Sequence, residues 1–226
     1  MEVLERLPRL ILRSYFQDGP GRETFHLAGG TALALREFQH RRSDDLDLFT
    51  REVGAVRMFA NDMKAWGAGK GFLVETASTN DQHWRFIFRE AQDETKVDMV
   101  ADSPPYFDDV RVIDGVRYES RRDLLAAKLA TLPSRGEPKD IVDAYFILKH
   151  SGEDLGGLLH DVVEKDPGFD RERMAAGFLT FEPRPGLLDV LKPYMIRPVS
   201  IEEITSLFHE VGEAIRRSSD GSFRKS

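Results

Sequence analysis

The chain of 226 residues contains no cysteine, which excludes disulfide frameworks, thiol nucleophiles and metal sites with cysteine ligands. It also lacks long apolar runs, since stretches such as residues 10–12 fall far short of the roughly 18–20 residues that span a bilayer. Glu2 and Glu5 interrupt the N-terminal leucines, so the continuous apolar stretch of a signal peptide is missing. These absences predict a soluble, cytosolic protein.

Positive charge is in the minority, with 32 Lys and Arg against 39 Asp and Glu and a formal net charge of −7. Indiscriminate coating of nucleic acid needs a positive field, so the charge argues against that function. It leaves room for a local basic groove. The hydrophobic content of 41% is high enough for a packed core, and the length fits one or two domains.

The periodicity of apolar residues predicts an α/β (α+β) first domain over residues 1–117 and a helical second domain over residues 118–226, with a cleft between them. The first domain is expected to hold a small mixed sheet flanked by helices. Its expected strands are residues 25–28, 45–49, 72–77, 83–89 and 95–100, followed by a hairpin at Asp114-Gly115.

Helices are predicted within residues 1–22 and over residues 56–66, the second ending at the glycines 67, 69 and 71. Ser120 and Asp123 have the spacing of a capping box and predict another helix start. The helical pattern that follows is expected to break at prolines, beginning with Pro133.

The most informative segment joins Gly29-Gly30-Thr31 to the strand-like run that contains Asp45 and Asp47. Two glycines between a strand and a helix let backbone N–H groups approach an anion, and Thr31 is expected to cap that helix. Asp45 and Asp47 leave the same strand face, and a hard divalent cation relieves the repulsion between such carboxylates. Together they predict a site for Mg²⁺ and a nucleoside triphosphate (NTP). The alternatives are an ordinary turn and a solvated strand face.

From residue 27 to residue 49 the sequence resembles the polymerase-β-type nucleotidyltransferase superfamily, in which a Gly-Gly or Gly-Ser turn, a helix and Asp-x-Asp follow one another. More closely, it resembles the AbiEii/AbiGii nucleotidyltransferase-toxin family. The matching segments are Ala28-Gly-Gly-Thr-Ala-Leu-Ala-Leu35, Arg41-Arg-Ser-Asp-Asp-Leu-Asp-Leu-Phe49, Ala127-Lys-Leu-Ala130 and Arg135-Gly-Glu-Pro-Lys-Asp-Ile-Val-Asp143. Thr31 stands where the superfamily often has serine.

The resemblance implies the toxin of a toxin–antitoxin or abortive-infection pair. Such an enzyme transfers a nucleoside monophosphate from an NTP to an acceptor hydroxyl, such as a tRNA 3′ end, and releases pyrophosphate. Two Mg²⁺ ions and a cognate antitoxin are implied as well. Two other hypotheses stay open: transfer to a small molecule or a protein side chain, and a relative that binds nucleotide without catalysis.

Asp98 has the apolar-Asp-apolar context in which the superfamily carries a third acidic residue. A hairpin after the strand at residues 83–89 would bring Asp98 beside Asp45 and Asp47 as a further metal ligand. There it would take the proton from the attacking hydroxyl or help to orient it. The alternative is an exposed strand residue with Lys96 as its surface partner.

Lys128 lies within the apolar stripe of a predicted helix, and Asp143 lies on a helix that is apolar almost all round. A lysine in that position either snorkels or meets an anion. One interpretation is a structural Lys128–Asp143 ion pair. The resemblance supports another, in which Lys128 reaches the triphosphate and Asp140 or Asp143 completes the site. Asp140 also suits a helix start, where the dipole favours an acid.

Weaker candidates complete the set. Ser43 either contacts phosphate or simply begins a strand. Trp84 and Tyr106 either stack on a base or pack in the core. A basic group either holds RNA and nucleotide phosphates or is solvated surface: Arg36, His40, Arg41 and Arg42. The histidines lack ligand-like spacing, which argues against zinc.

Overall fold

The computed structural model describes residues 3–221, without the side chains of residues 133–135 and 219–221. The chain divides into two compact units, residues 1–124 and residues 125–226. The domain division expected from the sequence, 1–117 and 118–226, stays a prediction. Across the described residues, no helix has both the length and the apolar character needed to cross a membrane.

The first unit alternates short helices with strands and then enters a long helix. Its helices are α1 (Arg6–Asp18), α2 (Gly29–Leu33), α3 (Ala55–Phe59), α4 (Met63–Gly69) and the start of α5 (Arg121–Arg135), with a π-helical turn at Ala34–Phe38 and a 3₁₀ turn at Ala60–Asp62. Its strands are β1 (Phe25–Ala28), β2 (Leu46–Thr50), β3 (Leu73–Thr79), β4 (His83–Glu90), β5 (Asp93–Ala101), β6 (Arg111–Ile113) and β7 (Val116–Tyr118).

These strands form one mixed sheet in the order β3-β4-β5-β2-β1-β7-β6. β2 pairs with β5 in parallel, and β1 pairs with β7 in parallel, whereas the other neighbours are antiparallel. Leu46 and Leu48 are buried and alternate with half-buried Asp47 and Phe49, as a strand with one core face requires. The predicted fold class, a mixed sheet flanked by helices, is confirmed.

The amphipathic helix α1 covers the sheet with side chains spaced four residues apart. Leu7, Ile11 and Tyr15 are buried, and the Tyr15 ring meets Trp66 of α4 edge to face, with 5.8 Å between the ring centroids. The prediction that Gly67 ends a helix is wrong, because α4 continues to Gly69. Any side chain at residue 67 would collide with β3 and β4, so tertiary packing explains this glycine.

The hairpin predicted at Asp114-Gly115 is confirmed. Both residues have positive φ, 51° and 79°, as the type I′ turn that joins twisted strands requires. The predicted helix start is also confirmed, since the Asp123 N–H donates to Ser120 Oγ at 3.0 Å and α5 begins at Arg121.

Helices are the main elements of the second unit across its described residues. After α5 come α6 (Pro138–His150), α7 (Leu155–Lys165), α8 (Arg171–Leu179), a 3₁₀ turn at Asp189–Tyr194 and α9 (Ile201–Gly221). Phe178 of α8 stacks against Phe208 of α9, with 4.5 Å between the ring centroids. The expected break at Pro133 is wrong, because the α5 backbone stays helical to Arg135.

Candidate active site

The glycine turn and the Asp-x-Asp strand meet at one place in the first unit. β1 runs antiparallel to β2 with Ala28 opposite Asp47, so Gly29 follows directly beside that acid. Gly29 has φ of +64°, and a Cβ at this residue would overlap the Asp47 carboxylate. Only glycine combines this backbone angle with so close an approach. The glycine turn and the acid that the sequence pointed to therefore share one location, and phosphate binding by the turn stays a prediction.

Replacing Gly29 with alanine tests this contact. We expect the variant to lose about 1–3 kcal/mol of stability, because the backbone is strained and the new Cβ displaces Asp47. We also expect a large loss of any nucleotide transfer. Gly115→Ala is the matched control, since Gly115 also has positive φ but open space around it. Chemical denaturation and a transfer assay measure both effects, and equal behaviour of the two variants would contradict the importance of the Gly29–Asp47 contact.

Thr31 does not cap the helix, which corrects the expectation from the sequence. α2 begins at Gly29, so Thr31 lies inside it and is buried. Its Oγ1 lies 2.7 Å from Ser43 Oγ and within hydrogen-bond distance of the Asp45 carbonyl oxygen. The hydroxyl thus ties the glycine-turn helix to the segment that enters β2. The backbone of Ser43 is held as well, because its N–H donates to the Val3 carbonyl at 3.0 Å.

Two of the three acids lie on neighbouring strands, and the remaining acid directly precedes one of these strands. β2 and β5 are parallel with Asp47 opposite Asp98, so the third acid lies beside the second. Asp45 directly precedes β2 and is half-buried, whereas the whole Asp98 residue is 7% exposed. The alternative of an exposed strand residue is therefore wrong for Asp98.

Two basic side chains of β4, which the sequence interpretation missed, hold Asp98. Arg85 donates from Nε to Asp98 Oδ1 and from Nη2 to Oδ2, both at 2.8 Å. His83 Nε2 lies 3.0 Å from the same Oδ1. The sequence contained the signal for the Arg85 contact, which is the position of the β4–β5 turn. A hairpin with Glu90 opposite Asp93 places Arg85 opposite Asp98.

The surroundings of Asp98 keep its carboxylate charged. Burial alone would raise the pKa of Asp98, but the hydrogen bonds from Arg85 and His83 outweigh it and lower the pKa below its usual value. A carboxyl group with a lowered pKa is a weak proton acceptor. Of the two expected roles, the contacts favour orientation over proton removal.

Lys96 is not the partner of Asp98, which corrects a second expectation. Its Nζ lies 3.7 Å from Asp45 Oδ1, and both side chains are substantially exposed. Lys96 and Arg85 therefore place positive charge beside Asp45 and Asp98, where acids would otherwise repel one another.

The donor chemistry of the acids fits Mg²⁺, which prefers carboxylate oxygen ligands. Among the side chains that the structure describes, however, no three from His, Cys, Asp or Glu are already grouped to hold a metal ion. Asp98 instead bonds to Arg85, and Asp45 lies near Lys96. The roles of Asp45, Asp47 and Asp98 as metal ligands stay predictions.

Within the second unit, Lys128 of α5 meets both acids of α6 named from the sequence. Its Nζ lies 3.1 Å from Asp143 Oδ2 and 3.5 Å from Asp140 Oδ1. The Lys128 side chain is 13% exposed, and those of Asp140 and Asp143 are 2% and 1% exposed. The ion-pair interpretation describes these contacts, with one lysine facing two buried carboxylates. Contact with a triphosphate stays a prediction.

The four basic residues at positions 36–42 do not form the expected surface group. His40 is 0% exposed and Arg41 is 5% exposed, so they cannot line an open RNA groove. The His40 ring packs against Phe38 instead. Arg36 lies over the Tyr118 ring, and Arg42 faces Glu5 at 3.5 Å.

The two candidate stacking residues are engaged within the first unit. The Trp84 ring packs against Phe86, with 5.9 Å between the ring centroids. Tyr106 donates its hydroxyl to the Asp102 carbonyl at 2.9 Å and lies beneath the Arg51 guanidinium. These contacts favour packing over base stacking.

Comparison with known proteins adds independent evidence. The sequence profile of the family described as nucleotidyl transferase AbiEii toxin, type IV toxin–antitoxin system, matches residues 10–214. The chain is 26% identical over 182 residues to the uncharacterized protein aq_aa25 of Aquifex aeolicus (strain VF5), which covers 75% of this chain and 80% of that protein.

Two solved structures share the fold. MenT4, a nucleotidyltransferase toxin from Mycobacterium tuberculosis H37Rv, aligns with a TM-score of 0.64 and 16% identity over 93% of this chain and 82% of its own. JHP933 from Helicobacter pylori aligns with a TM-score of 0.61 and 18% identity over 96% of this chain and 91% of its own. The family profile covers most of the chain, and the family expected from the sequence is thereby confirmed: the chain belongs to the AbiEii nucleotidyltransferase toxins of type IV toxin–antitoxin systems.

Proposed function

We propose that this chain is a Mg²⁺-dependent nucleotidyltransferase that transfers a nucleoside monophosphate from an NTP to an RNA hydroxyl, such as a tRNA 3′ end. The acceptor oxygen forms a bond to the α-phosphorus, the bond from the α-phosphorus to the oxygen bridging to the β-phosphate breaks, and pyrophosphate leaves. The hydroxyl proton passes to solvent or to a carboxylate. This in-line displacement needs no covalent enzyme intermediate.

The contact between Gly29 and the Asp47 carboxylate carries the proposal. Metal-dependent nucleotide transfer needs an anion-binding turn and a metal-binding acid that can both reach the same bound NTP. Backbone N–H groups at the start of α2 lack acceptors inside the helix and suit phosphate oxygens. Their position beside Asp47 supports a shared site, with Gly29, Gly30 and Thr31 as the phosphate-binding segment and Ser43 as its support.

Asp45 and Asp47 are proposed to hold Mg²⁺ through their carboxylate oxygens, with Asp98 as the third acid. Two bound Mg²⁺ ions would neutralise charge on the attacking and leaving oxygens. Lys128 is proposed to bind the triphosphate, with Asp140 and Asp143 fixing its ammonium group through the contacts described above.

Membership of a toxin family in a toxin–antitoxin system implies an antitoxin partner. The proposal of an RNA acceptor in the cytoplasm rests on the family resemblance alone. The expected basic surface does not support it, since two of its four residues are buried.

Incubation of the purified protein with each α-³²P-labelled NTP, Mg²⁺ and total tRNA tests the proposal. We expect label on tRNA from at least one NTP, and we expect EDTA to abolish it because the acids bind metal rather than phosphate. NTP labelled at the γ-phosphate is the matched control. It should leave the RNA unlabelled, since pyrophosphate carries that group away.

Other outcomes separate the remaining hypotheses. Label on protein or on a small molecule would show that this molecule, and not RNA, is the acceptor. Binding of NTP without transfer to any acceptor would indicate a relative without catalysis. Label from the γ-phosphate would indicate a kinase and contradict nucleotide transfer.

A further inference from the structure

A row of charged side chains crosses three neighbouring strands of the sheet. Asp47 of β2 is opposite Asp98 of β5, and Asp98 is opposite Arg85 of β4. Residues directly opposite one another on paired strands point to the same face. Arg85 therefore lies one strand beyond the acids proposed to bind metal, on their own face of the sheet.

The contact between Arg85 and Asp98 uses two parallel hydrogen bonds. Nε and Nη2 each lie 2.8 Å from a different oxygen of Asp98, the geometry that fixes a carboxylate most firmly. A single-point contact would let the carboxylate rotate. His83 adds a third hydrogen bond, to Oδ1, and its Nε2 must carry the hydrogen because an ionised carboxylate only accepts.

These hydrogen bonds leave Asp98 little freedom to bind anything else. A carboxylate accepts about four hydrogen bonds or ligands, two on each oxygen. Among the residues that the structure describes, Oδ1 receives both Arg85 Nε and His83 Nε2, whereas Oδ2 receives only Arg85 Nη2. One acceptor position remains, and it lies on Oδ2.

We propose that Arg85 is a positioning residue for nucleotide transfer, which holds Asp98 so that its single remaining acceptor position, on Oδ2, serves the metal-bound substrate. This inference rests on the proposed function. It assigns no substrate contact to Arg85, which acts through Asp98.

The charge of Arg85 matters beside its geometry. An arginine stays charged in proteins, and the Arg85 guanidinium contacts Asp98 while Asp45 and Asp47 lie close enough to act on its charge. A cation this close to three acids repels a divalent metal ion as well as holding one of its ligands. Arg85 therefore limits metal affinity while it orders the site.

Charge and geometry are separable by substitution. Arg85→Ala removes both, whereas Arg85→Lys keeps the charge and loses the two-point contact. Arg89→Ala is the matched control, since Arg89 lies on the same face of β4 as Arg85. It pairs with Glu75 and Glu94 and not with the acids proposed to bind metal. The Arg85 side chain is 42% exposed, so its removal leaves no large cavity.

Three readouts apply to each variant: Mn²⁺ affinity by electron paramagnetic resonance, turnover at saturating Mg²⁺ and NTP, and thermal unfolding. For Arg85→Ala we expect Mn²⁺ to bind about fivefold more tightly, because the repelling cation is gone. We expect turnover to fall at least about tenfold, because Asp98 is no longer fixed. Arg85→Lys should bind Mn²⁺ as the wild type does and still turn over slowly. Arg89→Ala should match the wild type throughout.

Several results would overturn the inference. Wild-type turnover in Arg85→Ala would remove any positioning role, and full turnover in Arg85→Lys would show that charge alone suffices. Unfolding of both Arg85 variants would make the contact merely structural. Weaker Mn²⁺ binding in Arg85→Ala would contradict the repulsion of the metal ion by Arg85. In each of these cases the wild type still transfers nucleotide. A wild type that transfers nothing would instead refute the proposed function, and this inference with it.

Discussion

Replacing Asp47 with asparagine is expected to lower nucleotide transfer at least about a hundredfold, the loss typical of a group that stabilises transition-state charge. Asparagine keeps the size of the side chain beside Gly29 but removes the charge that a metal ion needs. It therefore separates the chemistry of the site from its packing. The measurement is transfer from α-³²P-labelled NTP under saturating Mg²⁺.

The same substitution should leave the fold intact. Asp47 lies opposite Asp98 but also near the Arg85 cation, so loss of its charge removes a repulsion together with an attraction, and the melting temperature should change little. Asp93→Asn on the exposed start of β5 is the control and should keep both activity and stability. An unfolded Asp47→Asn protein would show that this acid is structural, and full activity would remove it from the site.

Replacing Lys128 with methionine is expected to cost about 3–5 kcal/mol of unfolding free energy, because it leaves Asp140 and Asp143 as buried charges without their lysine. Methionine retains the apolar length of the side chain, so the loss reports the charge. Urea denaturation followed by circular dichroism measures it.

A triple variant, Lys128→Met with Asp140→Asn and Asp143→Asn, is the control. It removes all three charges and should recover most of the lost stability. Its activity decides between the two interpretations of the cluster. Transfer that returns with stability would make the ion pair structural, whereas a stable protein without transfer supports a role in binding the triphosphate. A single Lys128→Met variant as stable as the wild type would contradict the buried ion pair.

Local sequence signals predicted the parts of the fold that short-range physics determines. Leucines 46 and 48 alternate with polar or half-buried neighbours, so β2 follows from the period of two. Asp114-Gly115 determines its hairpin because only a few residues accept positive φ in both turn positions. The meeting of Asp47 and Asp98 joins strands far apart in sequence, so strand period and turn position alone do not determine it, and the expectation came from the family resemblance.

The errors arose where contacts between distant segments decide the structure. Thr31 has the residue type of a helix cap, but the pairing of β1 with β2 starts the helix earlier, at Gly29. Gly67 has the residue type of a helix breaker, but packing against β3 and β4 requires its small size within α4. His40 is buried against Phe38, although its basic neighbours suggested a surface group.

Parallel pairing of β2 with β5 also has a consequence for synthesis of the chain. β3 and β4 lie between these strands in sequence, so a ribosome releases Asp47 well before its partner acid. A growing polypeptide that stops before β5 carries the glycine turn but lacks Asp98 and the strand that holds it beside Asp47. Under the proposed function, fragments from interrupted translation lack the third acid and are therefore expected not to transfer nucleotide.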